Sequence, residues 1–418
     1  MMSELLVFLI LSIIILSGFA GHLFFERTGI PSFLFLILMG VIMGPVLHIV
    51  DRSSFLPVLG VFGSFTLIMV TFYSGLNLDI KNIISQSGRT LLQSTLFIVV
   101  SISLIGMAGH TIFGWDLIQA LILGSMTGGE ITAAVVVPLA FSLGFSDDVK
   151  SLLTLESAIS TVYSVVFFFA FLQQWQLGNI DLSIAAASIM TNFSVGIVFG
   201  IIFSLVFLRI LHHYRGKSYT YVLTIGMVIA IYTMVELLNG NGAFGVLMLG
   251  LFLSNERILS RFFGVDMDIR VIFPSLNHFQ SEVSFLLETF FFVFLGSVFT
   301  IEPSSILTNL LYSAVFLSIL LTVRYMAVFI ATYNSPLAKN RFDITYMCAQ
   351  GLVPATLSIL LLNYNVPLKD VFLSIITYII ILTNVVTAVG VWHSSRRRRL
   401  RERRMRAEES IRELLQRL

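Results

Sequence analysis

Apolar positions along this chain come in blocks rather than stripes. Most blocks are long enough to cross a hydrocarbon core as helices, roughly 18 residues or more. They lie at 4–25, 31–48, 57–77, 89–113, 116–143, 149–173, 183–211, 219–238, 241–254, 282–300, 304–333, 342–363 and 367–393. The pattern predicts an all-α polytopic membrane protein with about 13 transmembrane helices. The block at 241–254 is short, and "NGNGAFG" before it reads as a tight re-entry, so twelve is the alternative count. The first block has no basic lead and no small-residue cleavage site, which predicts a retained first helix rather than a signal peptide.

Composition supports this reading. Of 418 residues 57% are hydrophobic and 11% charged, against about one quarter charged in soluble chains. The net charge of +2 is unevenly spread, because residues 396–418 hold ten arginines and four acids and leave the rest slightly acidic. An outside N-terminus places Arg27, Lys81, Arg89, Lys150, Lys217, Lys339, Arg341 and the arginine tail on the cytoplasmic side. That asymmetry obeys the positive-inside rule and requires an odd number of crossings. The loop 255–281 is the longest connection and is expected to lay an amphipathic piece on the cytoplasmic surface. The tail 394–418 beside the last span is expected to sit on anionic lipid. No nucleic acid is expected as a partner. The 38 phenylalanines serve packing and lipid contact, "GGE" and "GNGAFG" lack a following Gly-Lys-Ser/Thr, no spacing suggests zinc, and no cofactor is implied. The single cysteine, Cys348, excludes an intramolecular disulfide.

One stretch resists the membrane pattern. "MTGGEITAAVVVPLA" (126–140) places Gly128 and Gly129 directly before Glu130 inside an apolar block. A second weakened point lies at Gly351 and Pro354 in the block 342–363. Interrupted helices at corresponding places in two halves point to a transporter site. An unpaired backbone at that depth survives only where protein or water satisfies it.

The segments "GIPSFLFLILMGVIMGP" (29–45), "FYSGLNLDIKNI" (72–83), "VELLNGNGAFGVLMLGLFLSN" (235–255), "ETFFFVFLGSVF" (288–299), "RYMAVFIATY" (324–333) and "GLVPATLSILLL" (351–362) occur in one consistent order. Together they resemble the cation/proton antiporter superfamily, nearest its NhaP-like sodium/proton exchangers. The resemblance implies an inverted-repeat fold with two broken helices crossing at the membrane midplane, and a homodimer. It implies a dimerisation scaffold at 1–88 and 174–281, a transport core at 89–173 and 282–393, and a basic cytoplasmic tail at 394–418 of an integral protein of a prokaryotic plasma membrane. It also implies a buried ion pair between Glu156 and Arg324.

The ion-binding motifs of that family are altered here. Where it carries a Thr-Asp pair, this chain has Ile131 and Thr132; where it carries Asn-Asp, this chain has Ser160 and Thr161. Its Gly-Leu-Arg-Gly becomes Gly351, Leu352, Val353 and Pro354. Residues two apart point to opposite sides of a helix but to the same side of extended chain. If Gly128 and Gly129 unwind the helix, Glu130 can therefore serve in place of position 132. The expected site is Glu130 with the hydroxyls of Thr132, Ser160 and Thr161, in a secondary transporter, not an enzyme, exchanging Na+ or K+ for H+. One carboxylate predicts electroneutral exchange. Two other readings share these residues: a carrier of small organic anions on the same fold, and a transport-inactive membrane sensor.

Glu236 and Glu288 are read as lying near span ends, Asp79 as a cap or surface residue, and Asp147 with Lys150 as a helix start. His212 and His213 are read as a solvated cytoplasmic loop.

Overall fold

A computed structural model describes residues 4–28, 30–49, 52–78, 80–178, 182–214, 217, 219–263, 273–299 and 303–417. Asp79 and residues 264–272, part of the expected amphipathic loop, lie outside the described residues, as do the side chains beyond Arg396. Among the described residues the regular elements are all helices. In order, the helices are α1 (Glu4–Thr28), α2 (Ser32–Val41), α3 (Arg52–Leu76), α4 (Ile80–Thr111), α5 (Leu117–Thr127), α6 (Ala133–Ser142), α7 (Asp147–Leu177) and α8 (Leu182–His213). Then follow α9 (Thr220–Leu237), α10 (Gly242–Ser254), α11 (Glu256–Phe263), α12 (Phe273–Val298), α13 (Pro303–Ala331), α14 (Arg341–Tyr346), α15 (Leu352–Leu361) and α16 (Lys369–Arg417).

Among the described residues, nine helices are long and apolar enough to cross a membrane, and five shorter apolar helices accompany them. The short ones show where the sequence interrupts a crossing. Pro45 ends α2 in a wide π-type turn over Ile42–Val46, because proline removes a backbone donor inside the helix. The block 116–143 splits into α5 and α6, and the block 342–363 into α14 and α15. The largest buried cluster joins α4, α5, α6, α7, α12, α13, α15 and α16 around these split helices. A separate cluster packs α3 with α8, α9 and α10.

Small residues allow the tight crossings between helices, as expected where lipid supplies no hydrophobic drive. Gly40 of α2 meets the backbone of α12 at Gly296, and Gly75 of α3 meets α10 at Gly250. The end of α10 is tied to the α3–α4 junction by Asn255, whose Nδ2 donates to the Leu78 carbonyl at 2.7 Å while its Oδ1 accepts from the Ile80 N–H at 2.9 Å. The α9–α10 turn is held by Glu236, which accepts from the Gly242 N–H at 2.8 Å. Glu236 therefore sits at a helix end, as its place in the sequence suggests. Lys150 and Asp147 pair at 3.0 Å in the first turn of α7.

Candidate functional site

The site begins with loss of winding in the first split helix. Helix α5 ends at Thr127, α6 starts at Ala133, and the residues between are not helical. Gly129 has φ +130°, a region that side chains with a β-carbon rarely adopt. A β-carbon there would also lie 2.7 Å from Ile98 Cγ1. Thr132 is extended at φ −79°, ψ 121°. The backbone of this stretch is satisfied from outside. Ile131 N–H donates to Ser160 Oγ at 3.1 Å, and Thr132 N–H donates to the Ala349 carbonyl at 2.9 Å.

The second split helix meets the first at this point. After α14 the chain is unwound from Met347 to Gly351, and α15 begins at Leu352. Glu130 Oε2 accepts from the Gly351 N–H at 3.2 Å. A β-carbon on Gly351 would lie 2.7 Å from Thr132 Cβ and Oγ1, so Thr132 packs directly over this glycine. Glu130 and Thr132 thus reach the same residue of the opposite break, as extended chain requires. Glu130 is 2% exposed and carries its carboxyl group deep within the helical body. Pro354 stands in the first turn of α15, after the break, where its missing N–H costs no helical bond.

Ser160 and Thr161 occupy different surroundings. On a helix one residue turns the side chain by about 100°. Ser160 faces the break, accepting from Ile131 and donating to the Ser157 carbonyl at 2.9 Å. Thr161 lines a small cavity with Thr71, Val165 and Ala243, between α7, α3 and α10. Ser160 is thereby a strut for the unwound strand, a role its residue type alone did not reveal.

Glu156 of α7 and Arg324 of α13 are both completely buried and form a two-pronged ion pair. Arg324 Nη2 also donates to the carbonyls of Ile344 and Met347, at 3.0 and 3.1 Å. Those carbonyls belong to the end of α14 and to the break, so the guanidinium caps the second interruption as well as pairing with the acid. Its cation also lies 5.1 Å from the Phe97 ring centre.

Three features escaped the sequence reading. Glu288 is not near the end of a helix, because α12 runs back to Phe273 through the polar "NHFQSE" stretch and puts Glu288 in its middle. It is half-buried, within electrostatic reach of Glu130. Gln350 and Asn384 knit the second break to its neighbours. Gln350 Nε2 donates to the Thr127 carbonyl at 2.6 Å, and Asn384 Nδ2 donates to the Gln350 carbonyl at 2.7 Å. The third is a cavity of about 650 Å3 at the far end of α6, lined by Glu26, Arg27, Pro138, Ser142, Trp392 and Arg396 among others. Polar residues inside long apolar blocks of sequence were the available signal for the first two.

A helical body whose two unwound segments face one another across a buried acid has the architecture on which interrupted-helix membrane transporters build their sites. Comparison with known proteins narrows it. The model of the sodium/hydrogen exchanger transmembrane family matches residues 9–392. The chain is 21% identical over 400 residues to the K(+)/H(+) antiporter NhaP of Alkalimonas amylolytica, covering 91% of this chain and 64% of that one. It is 20% identical over 382 residues to the K(+)/H(+) antiporter NhaP2 of Shewanella sp. (strain MR-4), covering 89% and 63%. It therefore spans just under two thirds of the length of the curated relatives it matches. Among solved structures, the sodium proton antiporter MjNhaP1 of Methanocaldococcus jannaschii superposes with a TM-score of 0.80 at 18% identity, over 94% of this chain and 97% of that one. The chain belongs to the sodium/hydrogen exchanger family and has the fold of that antiporter.

Proposed function

We propose that this protein exchanges Na+ or K+ for H+ across a membrane, with Glu130 as the carboxylate for which cation and proton compete. The observation that carries the reading is the placement of Glu130 in unwound chain, against the second break. The antiporters among its relatives are named for K+/H+ and sodium/proton exchange, which supports the substrate class.

The chemistry follows from charge. A cation bound at Glu130, or a proton on it, neutralises the site; a bare carboxylate is held back by the cost of carrying charge through hydrocarbon. Only the loaded, neutral site alternates between membrane faces, so the two fluxes are coupled. Glu130 supplies the charge and Thr132, with break carbonyls, further oxygen. Ser160 holds the strand in place, and Thr161 flanks it in the neighbouring cavity. Exchange is one cation for one proton and electroneutral, with Glu130 as the one coupling carboxylate.

The architecture we infer has thirteen crossings in two inverted repeats. Residues 89–173 and 282–393 move as a core against a dimeric scaffold of 1–88 and 174–281. The N-terminus is outside a prokaryotic plasma membrane, and the arginine tail lies inside on anionic lipid. In that orientation the cavity beside Arg27 and Arg396 opens to the cytoplasm.

Proteoliposomes with a pH-sensitive dye test the reading. The wild type dissipates an imposed pH gradient on addition of Na+ or K+, Glu130→Gln does not, and Glu130→Asp does so with an altered pH profile. Full pH-dependent exchange by E130Q removes Glu130 from the site.

A further inference from the structure

Two amide oxygens beside the crossing point are buried without partners. Gln350 is 2% exposed and Asn384 fully buried, and neither Gln350 Oε1 nor Asn384 Oδ1 accepts a hydrogen bond. Their orientation is fixed by the opposite ends of the same amides. Gln350 Nε2 donates to the Thr127 carbonyl, and Asn384 Nδ2 donates to the carbonyls of Gln350 and Ile380, at 2.6, 2.7 and 2.7 Å. Rotating either amide by half a turn sets oxygen against a carbonyl oxygen, so the acceptors must be the ends left over. The Gln350 N–H is itself held by Thr383 Oγ1 at 3.3 Å. The donors that fix the two amides point away from their oxygens and leave both oxygens free. Buried acceptors left unpaired are costly, and in a native protein each calls for a ligand or a function.

The place is specific. Gln350 immediately precedes Gly351, the donor to Glu130, and its side chain reaches Thr127, three residues before Glu130. The cluster therefore ties the two breaks together next to the acid. Amide oxygens are hard, neutral ligands suited to alkali cations and do not titrate. A carboxylate attracts any small cation and the proton alike, whereas the number and placement of carbonyl dipoles discriminate between ions of different size.

We propose that Gln350 and Asn384 form a neutral oxygen subsite that takes the partly dehydrated alkali cation beside Glu130 and sets which alkali cation is preferred. This rests on the reading of Glu130 as the exchange site and extends it: Glu130 provides charge and proton coupling, the amides provide selectivity. A subsite without a titrating group ranks the cations in the same order at every pH.

The test uses the full chain in liposomes with Li+, Na+, K+ and Rb+ chlorides, comparing wild type, Gln350→Met, Asn384→Leu and Gln350→Glu. In Q350M and N384L the KM for the preferred cation rises about tenfold, in line with loss of a supporting ligand, and the preference ratios fall towards one. Q350E keeps one acceptor and adds a charge but loses the donor to the Thr127 carbonyl, so its KM changes and its pH dependence steepens. The increase in melting temperature on adding each cation, measured on purified protein, ranks the four ions for wild type and loses the ranking in Q350M. Preference ratios and cation-dependent melting in Q350M and N384L that match wild type overturn the proposal, and so does Q350E with unaltered KM and pH profile. Normal exchange by E130Q, with ranking lost in Q350M, overturns the Glu130 reading while leaving the amide subsite standing. Absence of any alkali-cation flux or melting response in the wild type overturns both.

Discussion

The breaks at 128–132 and 347–351 interrupt their helices by different means. The first is opened by its own glycine geometry at Gly129 and held by the Ser160 hydroxyl and by the Ala349 carbonyl of the other break. The second is held largely by other helices: Arg324 of α13 takes two of its carbonyls, and Thr383 and Asn384 of α16 take an N–H and a carbonyl of Gln350. The first carries the acid, while the second offers that acid a backbone donor at Gly351 and carries no carboxylate of its own. One break is the charged element and the other its dipolar cradle. A transporter site built this way can change its charge chemistry at one break without dismantling the scaffold that holds the other.

Substitutions separate the two mechanisms, and the largest effect falls on the second break. Arg324→Ala leaves Glu156 as an uncompensated buried charge and releases the carbonyls at the end of α14. A loss of about 3–5 kcal/mol is expected, seen as a collapse of monodisperse protein on size-exclusion chromatography. The pair Glu156→Gln with Arg324→Gln recovers folded protein. Failure of that rescue would show that the carbonyl contacts, not the ion pair, dominate. At the first break, Gly129→Ala forces a β-carbon into an unfavourable φ and against Ile98, costing about 1–3 kcal/mol, and lowers the melting temperature of purified protein. An unchanged melting temperature would mean that the strand re-forms by another path.

Ser160→Ala comes next. It strips the Ile131 N–H of its acceptor, for about 1–3 kcal/mol, and should impair exchange more than Thr161→Val, which touches only the cavity beside α3 and α10. Equal losses in the two variants would contradict the division of roles on α7. Smaller still is Glu288→Gln: with Glu130 as the one coupling carboxylate, the variant retains a stoichiometry of one cation per proton in reversal-potential measurements. A changed stoichiometry makes Glu288 a second coupling group.

Much of this contrast was legible in the chain. A glycine pair before a glutamate, inside an apolar block, marked both the unwinding and its charge, because helix-weakening residues and an intramembrane acid are each hard to explain by packing. The second break was marked by Gly351 and Pro354, although the interruption itself covers 347–351 and Pro354 already belongs to the next helix. What the chain did not disclose is register. That Glu130 meets Gly351, and Thr132 the Ala349 carbonyl, depends on how two distant helices cross, which local pattern does not encode. The same holds on α7, where neighbouring hydroxyls suggested one shell and the helical turn sends Ser160 and Thr161 apart. Glu288 was misplaced because the polar residues before it look like a loop, while the helix carries them through to Phe273. Gln350 and Asn384 were visible as polar residues in apolar runs, but their significance lies in which atoms are left unpaired.

The central claim is that cation and proton compete for the carboxyl group of Glu130. Calorimetric titration of purified protein with the transported cation, repeated in buffers of different ionisation enthalpy, counts the protons released on binding. Near neutral pH, the account predicts a net proton release in the wild type that is absent in Glu130→Gln. Equal proton release by both proteins, or cation binding in the wild type with none at any pH, would contradict it.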